Sequence, residues 1–191
     1  MANLRDKTDR AVAAFIKQAV QGVSGLIPIY PSNWSGPRDQ TGGPGLVDVI
    51  TTQGPEDPPF SGNYWMDLKI RVQMPAVNQP NQSDIRAARV QLGKIVDAIF
   101  DLMHQTDNSS DYQYTARAIT AAGNALTADA SAGTNKDETQ RALDDADMAA
   151  FTCLDLRGSH YLGAPDEGEK SLSFVEIMKQ QIYVAAQGGL N

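Results

Sequence analysis

Residues that usually carry chemistry are scarce in this chain of 191 residues, which has one cysteine, Cys153, and two histidines, His104 and His160. A lone cysteine closes no internal disulfide, and neither histidine falls in an HExxH or CxxC spacing, so no catalytic, metal or cofactor site is expected. Geometry does not forbid a nucleophilic pair of Cys153 with His160 across a turn. A buried structural cysteine beside a solvated histidine explains the same residues more simply. Clusters of lysine and arginine are also missing. The 16 basic side chains stand against 23 acidic ones, and the resulting charge of -7 repels nucleic acid and anionic lipid. No apolar run approaches the roughly 20 residues of a membrane-spanning helix, and Asp97 and Asp101 interrupt the best one, KIVDAIFDLM. The start, MANLRDKTDR, lacks the apolar core of a secretory signal. A protein made and folded in a reducing cytoplasm, with no membrane partner, is the expectation.

What the chain does have is the patterning of an ordinary globular domain, with 41% hydrophobic and 20% charged residues. Leu4, Thr8, Ala11, Val12, Phe15, Ile16, Ala19 and Val20 recur at helical spacing, with Arg5, Asp9, Arg10, Lys17 and Gln21 on the other face. Gly22 then offers a stop. GLIPIYP and LVDVITT read as strands, separated by the Gly/Pro-rich SNWSGPRDQTGGPG. In NYWMDLKIRVQM, Tyr64, Met66, Leu68, Ile70, Val72 and Met74 alternate with Asn63, Trp65, Asp67, Lys69, Arg71 and Gln73, which marks one face as core and the other as wet or engaged. DIRAARVQLGKIVDAIFDLM follows as an amphipathic helix.

After His104 the composition turns to Ala, Thr, Asn and Ser, too poor in large apolar residues to bury much surface. Residues 112–126 could form only a weak surface helix within an arm or insertion. Strands are expected again near residues 149–158 and 171–186, with a turn at SHYLGAPDEGEK between them. In the last strand the alternation slips near Gln180 and Gln181, which suggests a bulge or a change of partner.

The fold class expected is α+β: a four- to five-stranded antiparallel or mixed sheet with two main helices on one face, long loops and an Ala/Thr-rich insertion. It forms a single domain over residues 1–191, with the N-terminal helix at 1–22, sheet and main helix at 26–103, the insertion or arm at 104–148 and closing strands at 149–186.

Two further groupings invite chemistry and do not carry it. Asp144, Asp145, Asp147 and Asp155 lack the alternating order of a calcium loop and read as a solvated face. Glycines 42, 43 and 45 precede a strand, whereas a phosphate-cradling loop follows one and opens a helix. Trp34, Phe60 and Trp65 are large aromatics in loops or on the polar strand face. They serve either local packing or a subunit contact, and Arg71 beside Trp65 suits both readings.

The order of N-terminal helix, strand, PFSGNYWMDLKIRVQMP, DIRAARVQLGKIVDAIFDLM and a closing pair of strands resembles the tail-terminator and neck (tail-completion) proteins of long-tailed bacteriophages, most closely over residues 46–103 and 149–186. That resemblance implies a structural virion protein of the tail or neck. It would be made in the host cytoplasm and form a six-fold ring that ends the tail tube and meets the head–tail connector, with DNA only passing through. Carried onto this chain, Trp65, Asp67, Lys69 and Arg71 are where subunits would touch. The loops bearing Trp34 and Phe60 would meet the tube protein or the connector. Residues 104–148 and the Gly/Pro loop depart from the family pattern, which leaves another head-closure or neck ring open. A small cytoplasmic enzyme or ligand-binding α/β protein is the remaining alternative, and it requires a pocket gathering at least two of His104, His160, Cys153 and the Asp144 to Asp147 group.

Overall fold

A computed structural model describes residues 4–24, 29–31, 46–75, 82–104, 113–130, 151–162 and 173–185. Its helices are α1 (Leu4–Ser24), α2 (Gln82–Met103) and α3 (Gln113–Ala130). The strands are β1 (Ile29–Pro31), β2 (Leu46–Glu56), β3 (Asn63–Pro75), β4 (Thr152–Leu162) and β5 (Ser173–Ala185). The five strands form one sheet in the order β1-β2-β3-β5-β4. Four of them are antiparallel, and the short β1 joins β2 in parallel, which makes the sheet mixed. The α+β architecture expected from the pattern is the architecture found.

Alternation in β3 explains why the sheet has an inside. Met66, Leu68, Ile70 and Val72 are at most 1% exposed, and Met178, Ile182 and Val184 of β5 join them. The apolar stripes of α1 (Val12, Ile16, Val20), α2 (Leu92, Ile95, Val96, Ile99) and α3 (Ala116, Ile119) close on that same face in one continuous core. α1 packs on β1 and β2, α2 on β3 and β5, and α3 on β4.

Three expectations need correction. The segment after His104 is not simply an arm, because residues 113–130 form α3, whose Ile119 is fully buried against the core. Small side chains let this helix approach its neighbours closely, so low bulk did not mean low burial. Its presence also changes α1. Asp9 and Arg10, expected on a wet face, are fully buried because α1 is enclosed by α2 and α3 as well as the sheet. Asp9 Oδ1 accepts a 2.7 Å hydrogen bond from the Thr51 hydroxyl of β2, which offsets part of the desolvation of a buried carboxylate.

The second correction concerns β4, which runs on through residues 159–162 where a turn was expected. The third concerns the phase slip in β5. Its pairing with β3 is unbroken from Ser173 to Ala185, and the irregularities lie in β4, between Cys153 and Asp155 and between Arg157 and Ser159. Gln180 is simply a polar residue on the core side, 9% exposed and opposite Leu68.

Candidate functional site

The other sheet face gathers most of the expected site residues. Odd-numbered β3 positions meet β5 and β4 in rows: Trp65, Tyr183 and Asp155; then Asp67, Gln181 and Arg157; then Lys69, Lys179 and His160. In the next row Arg71 pairs with Ile177 on one side and with Asp48 of β2 on the other. Among the described residues no helix of the core covers this face. Asp67, Lys179, Gln181 and Arg157 are exposed, and Trp65, Lys69 and Arg71 are half-buried. Asp48 of β2, by contrast, is 3% exposed, while Thr52 further along the same strand and face is exposed.

Trp65 is the centre of a packed cluster. Its ring stacks on Tyr183 with centroids 4.8 Å apart and planes at 22°, and the Arg157 guanidinium lies 4.3 Å from its centroid. Quadrupole attraction accounts for both contacts. Asp155 holds Arg157 there through a 3.4 Å salt bridge. The indole N–H donates to Asp57 Oδ2 at 3.2 Å, and the Tyr183 hydroxyl donates to the Asp57 carbonyl oxygen. Both aromatics therefore clamp the turn between β2 and β3. Next along the face, the Gln181 amide donates to Asp67 Oδ1 at 3.2 Å.

That turn carries Phe60, which is 90% exposed and has a φ of 66°. A bulky side chain in left-handed backbone is strained unless its surroundings hold it. They do so here: Asp57 N–H donates to the Asn63 carbonyl, Ser61 N–H to the Pro58 carbonyl and Gly62 N–H to Glu56 Oε1. On β2, Gly54 lies where a side chain would put its Cβ 2.5 Å from the Trp65 carbonyl oxygen, so only glycine lets the strands close at this irregularity.

Two clefts flank the cluster. One of about 470 Å³ lies between the turn, Arg117 of α3 and Asp155 of β4. The other, about 570 Å³, is lined by Thr52, Asp67, Lys69, Arg157, Lys179 and Gln181. Among the described residues neither brings two of the groups of the enzyme reading together. Cys153 is 5% exposed on the core side, and burial pushes its thiol up to about 12. Its backbone pairs with Val184 while that of His160 pairs with Lys179, five residues along β5, or roughly 16 Å at 3.3 Å per residue. His104 is exposed at the end of α2, where its ring stacks on Phe100. No group of three metal-ligating side chains occurs among the described residues, and no described helix is long and apolar enough to cross a membrane.

Comparison with models of known protein families finds no match, and comparison with curated proteins finds none either. The chemistry of this surface therefore has to be read from its own residues.

Of the residues singled out in the sequence, Trp65, Asp67, Lys69 and Arg71 share the open face, and Phe60 stands at its end on the turn. Trp34, Asp144, Asp145 and Asp147 lie outside the described residues. Sequence reasoning missed Tyr183, Arg157, Asp57 and Lys179. Tyr183 and Lys179 were hidden by the supposed slip at Gln180. Once Gln180 is given a core-side place, odd positions 177 to 183 fall on the open face by strict alternation.

Proposed function

We propose that this chain is a structural component of a tailed-phage virion, a ring protein that ends the tail tube and joins it to the neck. The reading starts from the resemblance of its element order to tail-terminator and neck proteins. The observation that carries it is the asymmetry of the fold among the described residues: three helices close one sheet face, and the opposite face presents an ordered band of aromatic and charged side chains. A face of that kind suits repetition of one heterologous contact, which closes into a ring when its rotation divides a full turn. The stiff turn bearing Phe60 suits contact with a tube or connector protein, since an exposed aromatic held in place loses little conformational entropy on docking. The charge of -7 is compatible with DNA passing through a channel without being held.

Light scattering and negative-stain imaging of the purified chain, alone and with tail tubes, test the proposal. Closed rings, of six copies on the family pattern, are the expected result. A chain that stays monomeric and leaves tube ends bare overturns it.

A further inference from the structure

Two patches of opposite sign lie on opposite sides of the sheet, each without a salt bridge among the described residues. On the open face Lys69 and Lys179 stand directly across from each other in the β3–β5 pairing, and neither has a salt bridge or hydrogen bond among the described residues. Like charges so placed repel. Among the described residues Asp67 is bonded to Gln181 and makes no salt bridge to either lysine, and Arg157, held by Asp155 and Trp65, adds a third positive charge. All of these except Asp155 and Trp65 line the cleft of about 570 Å³.

The second patch is on α2, which packs against the other side of β3 and β5. Asp97 and Asp101 are exposed, four residues apart on one helix face, and neither has a salt bridge among the described residues. No basic residue occupies the last turn of this helix. The i,i+4 repulsion disfavours the pair, and the negative end of the helix dipole adds to the cost of Asp101 in the last turn. Phe100 lies between them in sequence, still 37% exposed and backed by the His104 ring. Each patch costs stability in the isolated chain, and the two are complementary in charge. The spacing also agrees, since paired strand positions and helix positions i,i+4 both hold side chains about 5–6 Å apart.

We propose that the open sheet face of one copy receives the C-terminal end of α2 from the next copy, with Asp97 and Asp101 meeting Lys69 and Lys179 and Phe100 lying along the lysine stems. The contact is heterologous and runs front to back, so it propagates from copy to copy. Its setting rests on the ring reading above, and it adds which two surfaces make the ring.

Zero-length carbodiimide cross-linking of a mixture of unlabelled and ¹⁵N-labelled chain, read by mass spectrometry, tests it. Interchain links between Lys69 or Lys179 and Asp97 or Asp101 are expected. The variant Lys69→Glu/Lys179→Glu and the variant Asp97→Lys/Asp101→Lys each lose at least about tenfold in association by light scattering while keeping native circular dichroism. Mixing the two restores association, because each then offers the patch its partner needs. If both variants assemble like the wild type, or the interchain links join other residues, this pairing is overturned and the ring reading stands. A wild-type chain that stays monomeric alone and with tail tubes, and yields no interchain link in either case, removes both.

Discussion

Trp65 shows how one side chain can belong to a surface and still be committed within its own chain. It stacks on Tyr183, lies under Arg157 and donates to Asp57, so Trp65→Ala removes three contacts from a half-buried position. A loss of about 1–2 kcal/mol in urea unfolding is expected, with Trp65→Phe in between because it keeps the stack and loses the indole N–H. Cys153 makes the opposite case of a reactive residue type silenced by its place. Desolvation pushes the thiol from 9.0 to about 12; the hydrogen bond to the Asp155 backbone opposes this, and the Asp155 charge adds to it. Between these values the folded chain keeps a proton that the unfolded chain gives up. The unfolded state then binds fewer protons, and stability falls as pH rises, by about 1.4 kcal/mol per unit from this group. Urea unfolding should show a loss of about 1.4 kcal/mol between about pH 8 and about pH 10 in the wild type and not in Cys153→Ala, because the slope begins only above 9.0, and thiol reagents should label the native chain only slowly.

Among the elements, α3 differs most from what its composition suggests. Thr120 ties α3 to the first irregularity of β4, accepting from the Cys153 N–H at 2.9 Å, with the Cys153 and Ala116 carbonyls at 3.2 and 2.9 Å as its own acceptors. Thr120→Val keeps the shape and leaves the Cys153 N–H unpaired, which should cost about 1–3 kcal/mol by thermal or urea unfolding. In the β2–β3 hairpin, Gly54→Ala drives a methyl into the Trp65 carbonyl at 2.5 Å. Backbone cannot yield as a side-chain tip can, so a loss of about 1–3 kcal/mol is expected, along with a change in the Trp65 fluorescence as the strands part. The two alternating strands of the hairpin were legible in the sequence, except that β2 runs on to Glu56, past the expected LVDVITT. α3 was not, because counting bulky apolar residues overlooks helices whose small side chains and one or two isoleucines fit a close approach.

For the whole molecule, charge decides how copies meet. A chain of -7 repels its own kind unless local patches override the net field, so the front-to-back contact should depend strongly on ionic strength. Raising salt from about 0.1 M to about 1 M shortens the Debye length from about 10 Å to about 3 Å. If Lys69 and Lys179 hold Asp97 and Asp101, light scattering should record weaker association over that range, whereas a contact built on apolar burial would hold or strengthen.

The sequence by itself determined the α+β class, the inward and outward faces of β3, the stripe of α2 and the placing of Trp65, Asp67, Lys69 and Arg71 on one surface, since alternation and helical periodicity are local properties of the chain. Tertiary structure alone decided that α3 encloses α1 and buries Asp9 and Arg10, that Gln180 faces inward, and that Lys69 meets Lys179 across more than a hundred residues. Such pairings depend on register between distant strands and on which helix lies beside which, and no local periodicity specifies them.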